Sequence, residues 1–137
     1  MDPIEIQKVN ADDVMDIRHS VLWPDKPREF VKVPEDENGI HLGLYFDSIL
    51  VSVISLFADG RNIRFRKFAT LPEKQGKGLG SRLLLHAIAH AQAEGYTRMW
   101  CDARTDALGF YERFGFKKFS EPFFKEQIEY YKIERML

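Results

Sequence analysis

The feature that most constrains the fold is a glycine-rich run, Gln75–Ser81 (QGKGLGS), between a predicted strand and a long predicted helix. The strand covers about Ile63–Ala69 and the helix about Leu79–Glu94, and a further strand is predicted at Arg98–Ala103. Two strands joined by a crossover helix lie parallel in one sheet. The chain is therefore predicted to form a mixed sheet with a parallel central pair.

The remaining elements add antiparallel strands on both sides of this pair. Apolar alternation and turn residues predict five further strands, at Ile4–Val9, Leu42–Phe46, Leu50–Phe57, Phe116–Phe119 and Tyr130–Met136. Asn10 is predicted to begin a first helix, and a short helix is expected over Ala107–Phe114. The fold class is therefore α/β (α+β), with a mostly antiparallel sheet of six to seven strands flanked by helices.

The long helix is predicted to bury one apolar stripe. Its members recur at helical spacing and are Leu84, Leu85, Ile88 and Ala91. Gly95 is a natural residue to end the helix. Prolines at 24, 27 and 34 predict that residues 23–39 form an irregular loop, with a short helix within it as the alternative.

Length and composition indicate one domain, residues 1–137, with its own core. Hydrophobic residues make up 45% and aromatic residues 13% of the chain. No apolar run approaches the roughly 20 residues that span a bilayer. The N-terminus carries no signal-peptide pattern, so we expect no membrane contact and a cytoplasmic location.

The cysteine and histidine pattern predicts no metal site and no disulfide. Cys101 is the single cysteine, and burial in its strand is expected more than a nucleophilic role. His86 and His90 have a metal-compatible spacing on the long helix, but no acidic residue adjoins them. We expect both histidines on a solvated face.

The glycine run suits an anion. The first turn of a helix has N–H groups without intrahelical acceptors, and glycines allow a phosphate to approach the backbone. The Walker pattern is absent, and Ser81 stands where the dinucleotide fingerprint needs glycine or alanine. Seven basic residues against one acid over residues 61–82 surround the run. A glycine-rich entry turn without a ligand remains the alternative from this segment alone.

Two motifs resemble the signature of the GNAT superfamily of N-acetyltransferases. The first is Arg66–Gly80, where Gln75, Gly78 and Gly80 match the core Gln/Arg-x-x-Gly-x-Gly/Ala. The second, about 30 residues later, is Ala103–Phe116, which is similar to the "Ala-x-x-Phe-Tyr-x-x-x-Gly-Phe" element. Both motifs occur in the family's order, and the resemblance covers about residues 40–120.

The resemblance implies a GNAT-like sheet whose parallel central strands splay apart to admit acetyl-CoA, without a metal. The residues implied to contact the cofactor are Phe68, Ala69 and Thr70 along the pantetheine arm and Gln75, Gly76, Lys77, Gly78, Leu79, Gly80 and Ser81 around the pyrophosphate. Ala69 or a neighbour would polarise the carbonyl through its N–H, and Tyr111 would protonate the departing thiolate. Arg104 departs from the asparagine that many relatives place there.

The resemblance implies an N-acetyltransferase acting on a primary amine of a small molecule by direct attack on the thioester. A protein or peptide N-acetyltransferase and a non-catalytic acyl-CoA-binding sensor are the alternatives. We expect no nucleic-acid partner, because no recognition motif accompanies the basic block, and a homodimer is possible. Trp23 and four acids of the 23–39 loop suit a cationic acceptor or are ordinary surface residues; the acids are Glu29, Glu35, Asp36 and Glu37. Asp102 and Glu126 are candidate bases.

Overall fold

The computed structural model describes residues 2–137 and contains one mixed sheet of eight strands. The strands are β1 (Ile4–Val9), β2 (Ile40–Phe46), β3 (Ile49–Asp59), β4 (Asn62–Thr70), β5 (Arg98–Arg104), β6 (Lys117–Lys118), β7 (Phe123–Lys125) and β8 (Ile128–Met136). Their order is β1-β2-β3-β4-β5-β8-β6, and β7 also pairs with β8. This confirms the predicted fold class, but the sheet has one strand more than seven because β7 forms a short hairpin with β8.

The central pair β4–β5 is the one parallel pairing and it is short. The two strands pair at Asn62–Arg98, Ile63–Met99 and Arg64–Trp100, and no later residue of β4 pairs with β5. β5 instead pairs antiparallel with β8 over its whole length. The strands therefore separate after Arg64, and an opening forms between their carboxyl-terminal halves.

Helices cover both faces of the sheet. Helix α1 (Ala11–Ile17) continues as a π-helical turn over Arg18–Leu22, and its buried residues pack against β3 and β4 on one face. Helix α2 (Leu79–Ala93) and helix α3 (Leu108–Glu112) join the larger core on the other face. The predicted helix Ala107–Phe114 is shorter than expected, because Thr105–Ala107 forms a 3₁₀ turn.

Helix α2 buries three of the four residues predicted for its apolar stripe, and three further residues that were not predicted. The buried side chains are Leu79, Leu83, Leu84, Ala87, Ile88 and Ala91. Leu85 was expected among them but is 54% exposed, because it follows Leu84 by 100° around the helix and turns away from the sheet. Leu83 takes its place. Burial of each leucine contributes about 1.5–3 kcal/mol, which anchors the helix behind the opening.

The segment between α1 and β2 is fixed by a buried ion pair. Arg18 is fully buried and makes two hydrogen bonds to the Asp36 carboxylate, at 2.8 and 2.9 Å. Arg18 also donates to the carbonyl of Val31 and to the hydroxyl of Ser55 on β3. Residues 23–39, predicted to be irregular, contain two short 3₁₀ turns, Arg28–Val31 and Asp36–Asn38, held against the sheet by this network.

Candidate active site

A cavity of about 420 Å³ fills the opening between β4 and β5. Its walls come from the π-helical turn and the segment after it, from β4 and β5, from α3, and from the β7–β8 hairpin. Phe68 and Tyr111 line it, as do Trp23 and Lys32 from the chain between α1 and β2. We call this cavity the cleft.

A β-bulge in β4 shapes the cleft. The β3–β4 register shifts between Val53–Ala69 and Ser55–Arg66, so that Lys67 and Phe68 together oppose one residue of β3. Lys67 has a φ of +55°, in the left-handed region that non-glycine residues rarely occupy. Bulges re-aim side chains, and here the bulge brings Lys67 into the cleft next to Arg66.

The glycine run leaves a set of backbone donors free at the start of α2. The first hydrogen bond of the helix runs from Arg82 N to Gly78 O, and no acceptor within residues 2–137 meets the N–H groups of residues 76–81. Gly76 and Gly78 have φ values of +76° and +78°, with open space where a Cβ would stand. These amides and the positive end of the helix dipole fit a pyrophosphate.

Two residues of the run contact β4. The Gln75 side chain donates to the carbonyl of Thr70 at 2.9 Å, which fixes the loop to the end of the strand. A Cβ on Gly80 would lie 3.1 Å from Thr70 Oγ1 and 3.5 Å from the Phe68 ring. Gly80 is therefore needed for close packing of α2 on β4, in addition to any approach by a phosphate.

The three β4 residues predicted to meet the pantetheine arm differ in where their backbones point. In an antiparallel pair, every second residue directs its N–H at the partner strand. Leu71 N donates to Val51 O, so Ala69, two residues earlier, also directs its N–H at β3, toward Val53. The carbonyl of Ala69 also accepts from the Ser52 hydroxyl at 3.2 Å. Phe68 and Thr70 thus have the N–H groups that face the opening.

Tyr111 lies on α3 in a cluster of aromatic rings. Its ring centroid is 5.7 Å from that of Phe65, 6.4 Å from Phe68 and 6.0 Å from Phe116. Burial raises the pKa of Tyr111 well above its usual value. The phenol therefore stays neutral and can act as a hydrogen-bond donor on this wall of the cleft.

Cys101 is buried as expected, at 2% exposure. Burial raises the pKa of its thiol well above the usual value, and the neighbouring Asp102 adds to the shift. A thiol rather than a thiolate is present near neutral pH, so a nucleophilic role has no support.

The two candidate bases differ in their surroundings. Asp102 accepts from Arg64 at 2.7 Å, from Lys125 at 2.8 Å and from Lys132 at 3.0 Å. Burial alone would raise the pKa of Asp102, but these hydrogen bonds and charges lower it overall, so the carboxylate is a poor proton acceptor. Glu126 lines the cleft from the β7–β8 turn and meets Lys26 at 3.1 Å.

Arg104 contacts the segment that follows α1, at Leu22 and Trp23. It donates to the carbonyl of Leu22 at 2.9 Å, and its guanidinium lies 5.0 Å from the centroid of Trp23. These contacts join β5 to the segment that follows α1. Within residues 2–137, Arg104 makes no contact of this kind with the glycine run.

Of the two interpretations of the acids in the 23–39 loop, a cationic acceptor site and ordinary surface charge, the structure gives no support to the first. Asp36 is buried against Arg18, and Glu29, Glu35 and Glu37 are exposed and do not line the cleft. The charged residues that do line it are mostly cationic: Lys32, Arg64, Arg66, Lys67, Arg104 and Lys125, against Asp102 and Glu126. The basic block of residues 61–82 indicated part of this charge. The other cations come from distant parts of the sequence, and nothing in their local pattern predicted that they would meet.

The histidines do not form a metal site. His86 is exposed and His90 half-buried on α2, and no group of three metal-binding side chains exists within the part of the chain that the structure describes. Across residues 2–137, no helix has both the length and the apolar character needed to cross a bilayer.

The fold and the site together define a class: a mixed sheet whose parallel pair opens, with a helix start nearby in the chain whose backbone N–H groups are free, the arrangement of an acyl-CoA-using transferase. The family described as "Acetyltransferase (GNAT) domain" matches residues 7–137. An uncharacterized N-acetyltransferase, YitI of Bacillus subtilis, is 33% identical over 129 residues, which is 88% of this chain and 87% of that protein. The chain belongs to the GNAT acetyltransferase family.

Solved structures have the same fold. A putative N-acetyltransferase from Lactobacillus plantarum superposes with a TM-score of 0.89 at 18% identity, covering 99% of each chain. The PaiA N-acetyltransferase from Thermoplasma acidophilum, solved in complex with coenzyme A, superposes with a TM-score of 0.74 at 19% identity. That alignment covers 98% of this chain and 99% of the other.

Proposed function

We propose that this chain transfers the acetyl group of acetyl-CoA to a primary amine of a small molecule, by direct attack of the amine on the thioester. One observation carries the proposal: the opening between β4 and β5 is lined by Tyr111, and the glycine run with its free backbone donors follows closely after β4 in the chain. Acetyl-CoA, when bound, supplies an activated acyl group. The chain's own residues would bind acetyl-CoA and the amine, orient them for the attack, and donate or accept protons.

The backbone amides of residues 76–81 would hold the pyrophosphate. Hydrogen bonds to a charged group contribute about 1.5–3 kcal/mol each, whereas an exposed ion pair adds about 0–1 kcal/mol. Lys77 is exposed, and Lys74 lies 4.8 Å from the centroid of Phe46, so the amides dominate over these charges. The N–H groups of Phe68 and Thr70 would pair with the extended arm, as an added strand pairs with a sheet edge.

Tyr111 would donate to the leaving sulfur. Because burial holds the pKa of Tyr111 well above its usual value, complete proton transfer to a thiolate is unfavourable at the start of the reaction. A hydrogen bond that strengthens as negative charge develops on the sulfur still stabilises the transition state. We therefore assign Tyr111 as the donor that makes the thiolate a better leaving group.

The acceptor side supports a small molecule over a peptide. The cleft has about 420 Å³, within the range of small-ligand sites, and Trp23 and Phe30 form an edge-to-face pair on its wall. The ion pair between Lys26 and Glu126 joins the segment that carries these rings to the β7–β8 hairpin. Glu126 is also the carboxylate best situated to take a proton from the amine.

The proposal is tested by release of free thiol from acetyl-CoA in a panel of small primary amines and, separately, of peptides with a free N-terminus or lysine. We expect amine-dependent release with small amines, and little with peptides. A preference for peptides would favour the protein-acetyltransferase alternative. Tight binding of acetyl-CoA without release in either panel would favour a sensor.

A further inference from the structure

The cleft holds positive charge that the chain itself does not neutralise. Its two carboxylates are already engaged: Asp102 binds three cations, and Glu126 binds Lys26. The side chains of Arg66 and Lys67 line the cleft half-buried, and neither has an ion pair or hydrogen bond with any of residues 2–137. Glu35 acts on Arg66 through its charge but is exposed and makes no ion pair with it.

Half-buried cations without partners are unfavourable, and the pKa values of Arg66 and Lys67 are lowered accordingly. Burial lowers the pKa of Lys67 to about 8, and the charges of Arg66, Arg18, Lys125 and Arg104 add to this. Burial lowers the pKa of Arg66 as well, and the Arg64 charge acts in the same direction. An anion between Arg66 and Lys67 would relieve both effects.

The bulge in β4 sets the backbone conformation at this pair. Residues 64–68 of β4 all line the cleft, and the bulge lies within them, at Lys67 and Phe68. Lys67 adopts the left-handed conformation there, and the charge of the buried Arg18 acts on both Arg66 and Lys67. Left-handed backbone is unfavourable at a lysine, and the pairing of β4 with β3 on both sides of the bulge holds it in place.

The anion that fits here belongs to the acceptor rather than to the cofactor. The glycine run begins beyond the end of β4 and has its own donors, and Gly76, Gly78 and Gly80 do not line the cleft. Arg66 and Lys67 share the cleft with Trp23 and Lys32, which come from the segment between α1 and β2. The positive region and the phosphate-binding helix start are therefore separate sites.

We infer that the acceptor carries an oxyanion, a carboxylate or a phosphate, in addition to its amine, and that Arg66 and Lys67 bind this group. The inference rests on the proposed function, since it assigns the substrate class of the same cleft. Arg66 can bind an oxyanion through two parallel N–H donors, and Lys67 adds a point charge. Arg104 and Lys32 supply further positive potential around the pair.

The test uses three aromatic probes and the protein saturated with CoA. Phenylacetate presents a carboxylate, phenyl phosphate presents a phosphate, and phenylacetamide is the neutral match; ligand-observed NMR gives each dissociation constant. We expect at least one anion to bind about tenfold or more tightly than the amide, as a charge-assisted hydrogen bond requires. The anion whose affinity exceeds that of the amide by the larger factor identifies which oxyanion the site prefers.

Variants locate the effect. Arg66→Gln and Lys67→Asn remove one charge each, and asparagine tolerates the left-handed conformation at position 67. We expect the anion advantage to fall several-fold in each variant and to disappear in the double variant. Lys8→Gln, at an exposed position on β1, removes a charge outside the cleft and should leave the advantage unchanged.

Equal binding of the amide and both anions, or an anion advantage that survives in the double variant, would overturn the inference. Binding of CoA is measured first and separately. If CoA does not bind, the proposed function fails, while the same three probes still report the charge preference of the cleft. Thermal unfolding of each variant verifies that the fold is retained.

Discussion

Gly78 is the position where the phosphate-binding role of the glycine run can be separated from its role in the fold. It begins α2 with a φ of +78°, and a Cβ there would meet nothing within 4 Å. Gly95, at the other end of α2, has a φ of +87° and equally open surroundings. Gly78→Ala and Gly95→Ala therefore impose the same backbone strain at opposite ends of one helix.

The strain sets the size of the expected effects. A left-handed alanine costs about 1–2 kcal/mol, so both variants should lose about that much free energy of unfolding. If the backbone at position 78 relaxes to a right-handed conformation instead, at least one amide turns away from the phosphate. Losing one such hydrogen bond, about 1.5–3 kcal/mol, weakens CoA binding about 10- to 150-fold.

The assay is isothermal titration of CoA beside thermal unfolding of the same samples. We expect Gly78→Ala to lose CoA affinity and Gly95→Ala to retain it, with similar losses of stability in both. If Gly78→Ala is destabilised but binds CoA as tightly as the wild type, the glycine is a structural turn residue and the phosphate-cradle reasoning is refuted.

Three further predictions concern Tyr111, Lys67 and Asp36. Tyr111→Phe should lower turnover, measured by thiol release, about tenfold or more, while CoA affinity stays nearly unchanged. If the variant keeps the wild-type turnover from about pH 6 to 9, Tyr111 is a packing residue. Binding of an anionic ligand should weaken as pH rises through about 8, because Lys67, whose charge is opposed by those of Arg66, Arg18, Lys125 and Arg104, then loses its proton; a wild-type affinity that does not change with pH, or a pH dependence that persists in Lys67→Asn, contradicts this. Asp36→Ala should lower the free energy of unfolding by about 3–5 kcal/mol, because it leaves the buried Arg18 charge without its partner. Glu37→Ala, at an exposed position, should lower it little. Equal effects of the two variants in chemical denaturation would show that the ion pair does not hold residues 23–39 in place.

Local patterns predicted the frame of the molecule well. The strand–glycine–helix unit fixed the crossover and hence the parallel pair, because few connections allow a helix to return the chain to the same sheet. Helix α2 begins at Leu79 as expected and ends at Ala93, one residue early. The stripe on α2 was less predictable: Leu83, Leu84 and Leu85 are chemically alike, and only the packing against β3 decides which one faces solvent.

The charge of the cleft could not be predicted from local patterns. Arg66 and Lys67 are neighbours in the sequence, yet the cavity they line depends on how β4 separates from β5, and the bulge at Lys67 depends on the register of β4 against β3. Lys32 and Lys125 reach the cleft from segments more than ninety residues apart in the numbering. Acidic residues were visible at 29–37, but the buried partner of Asp36, Arg18, lies in another element.

The measurement that tests the account most directly is the fate of the acetyl group. The protein is incubated with isotopically labelled acetyl-CoA and with matched small amines that carry or lack a carboxylate or phosphate, and the products are identified by mass spectrometry. We predict that the label appears on the amine nitrogen, in proportion to the CoA released, and faster on the anionic member of each pair. Release of CoA with labelled acetate as the sole product, or no release with any amine, would contradict the account.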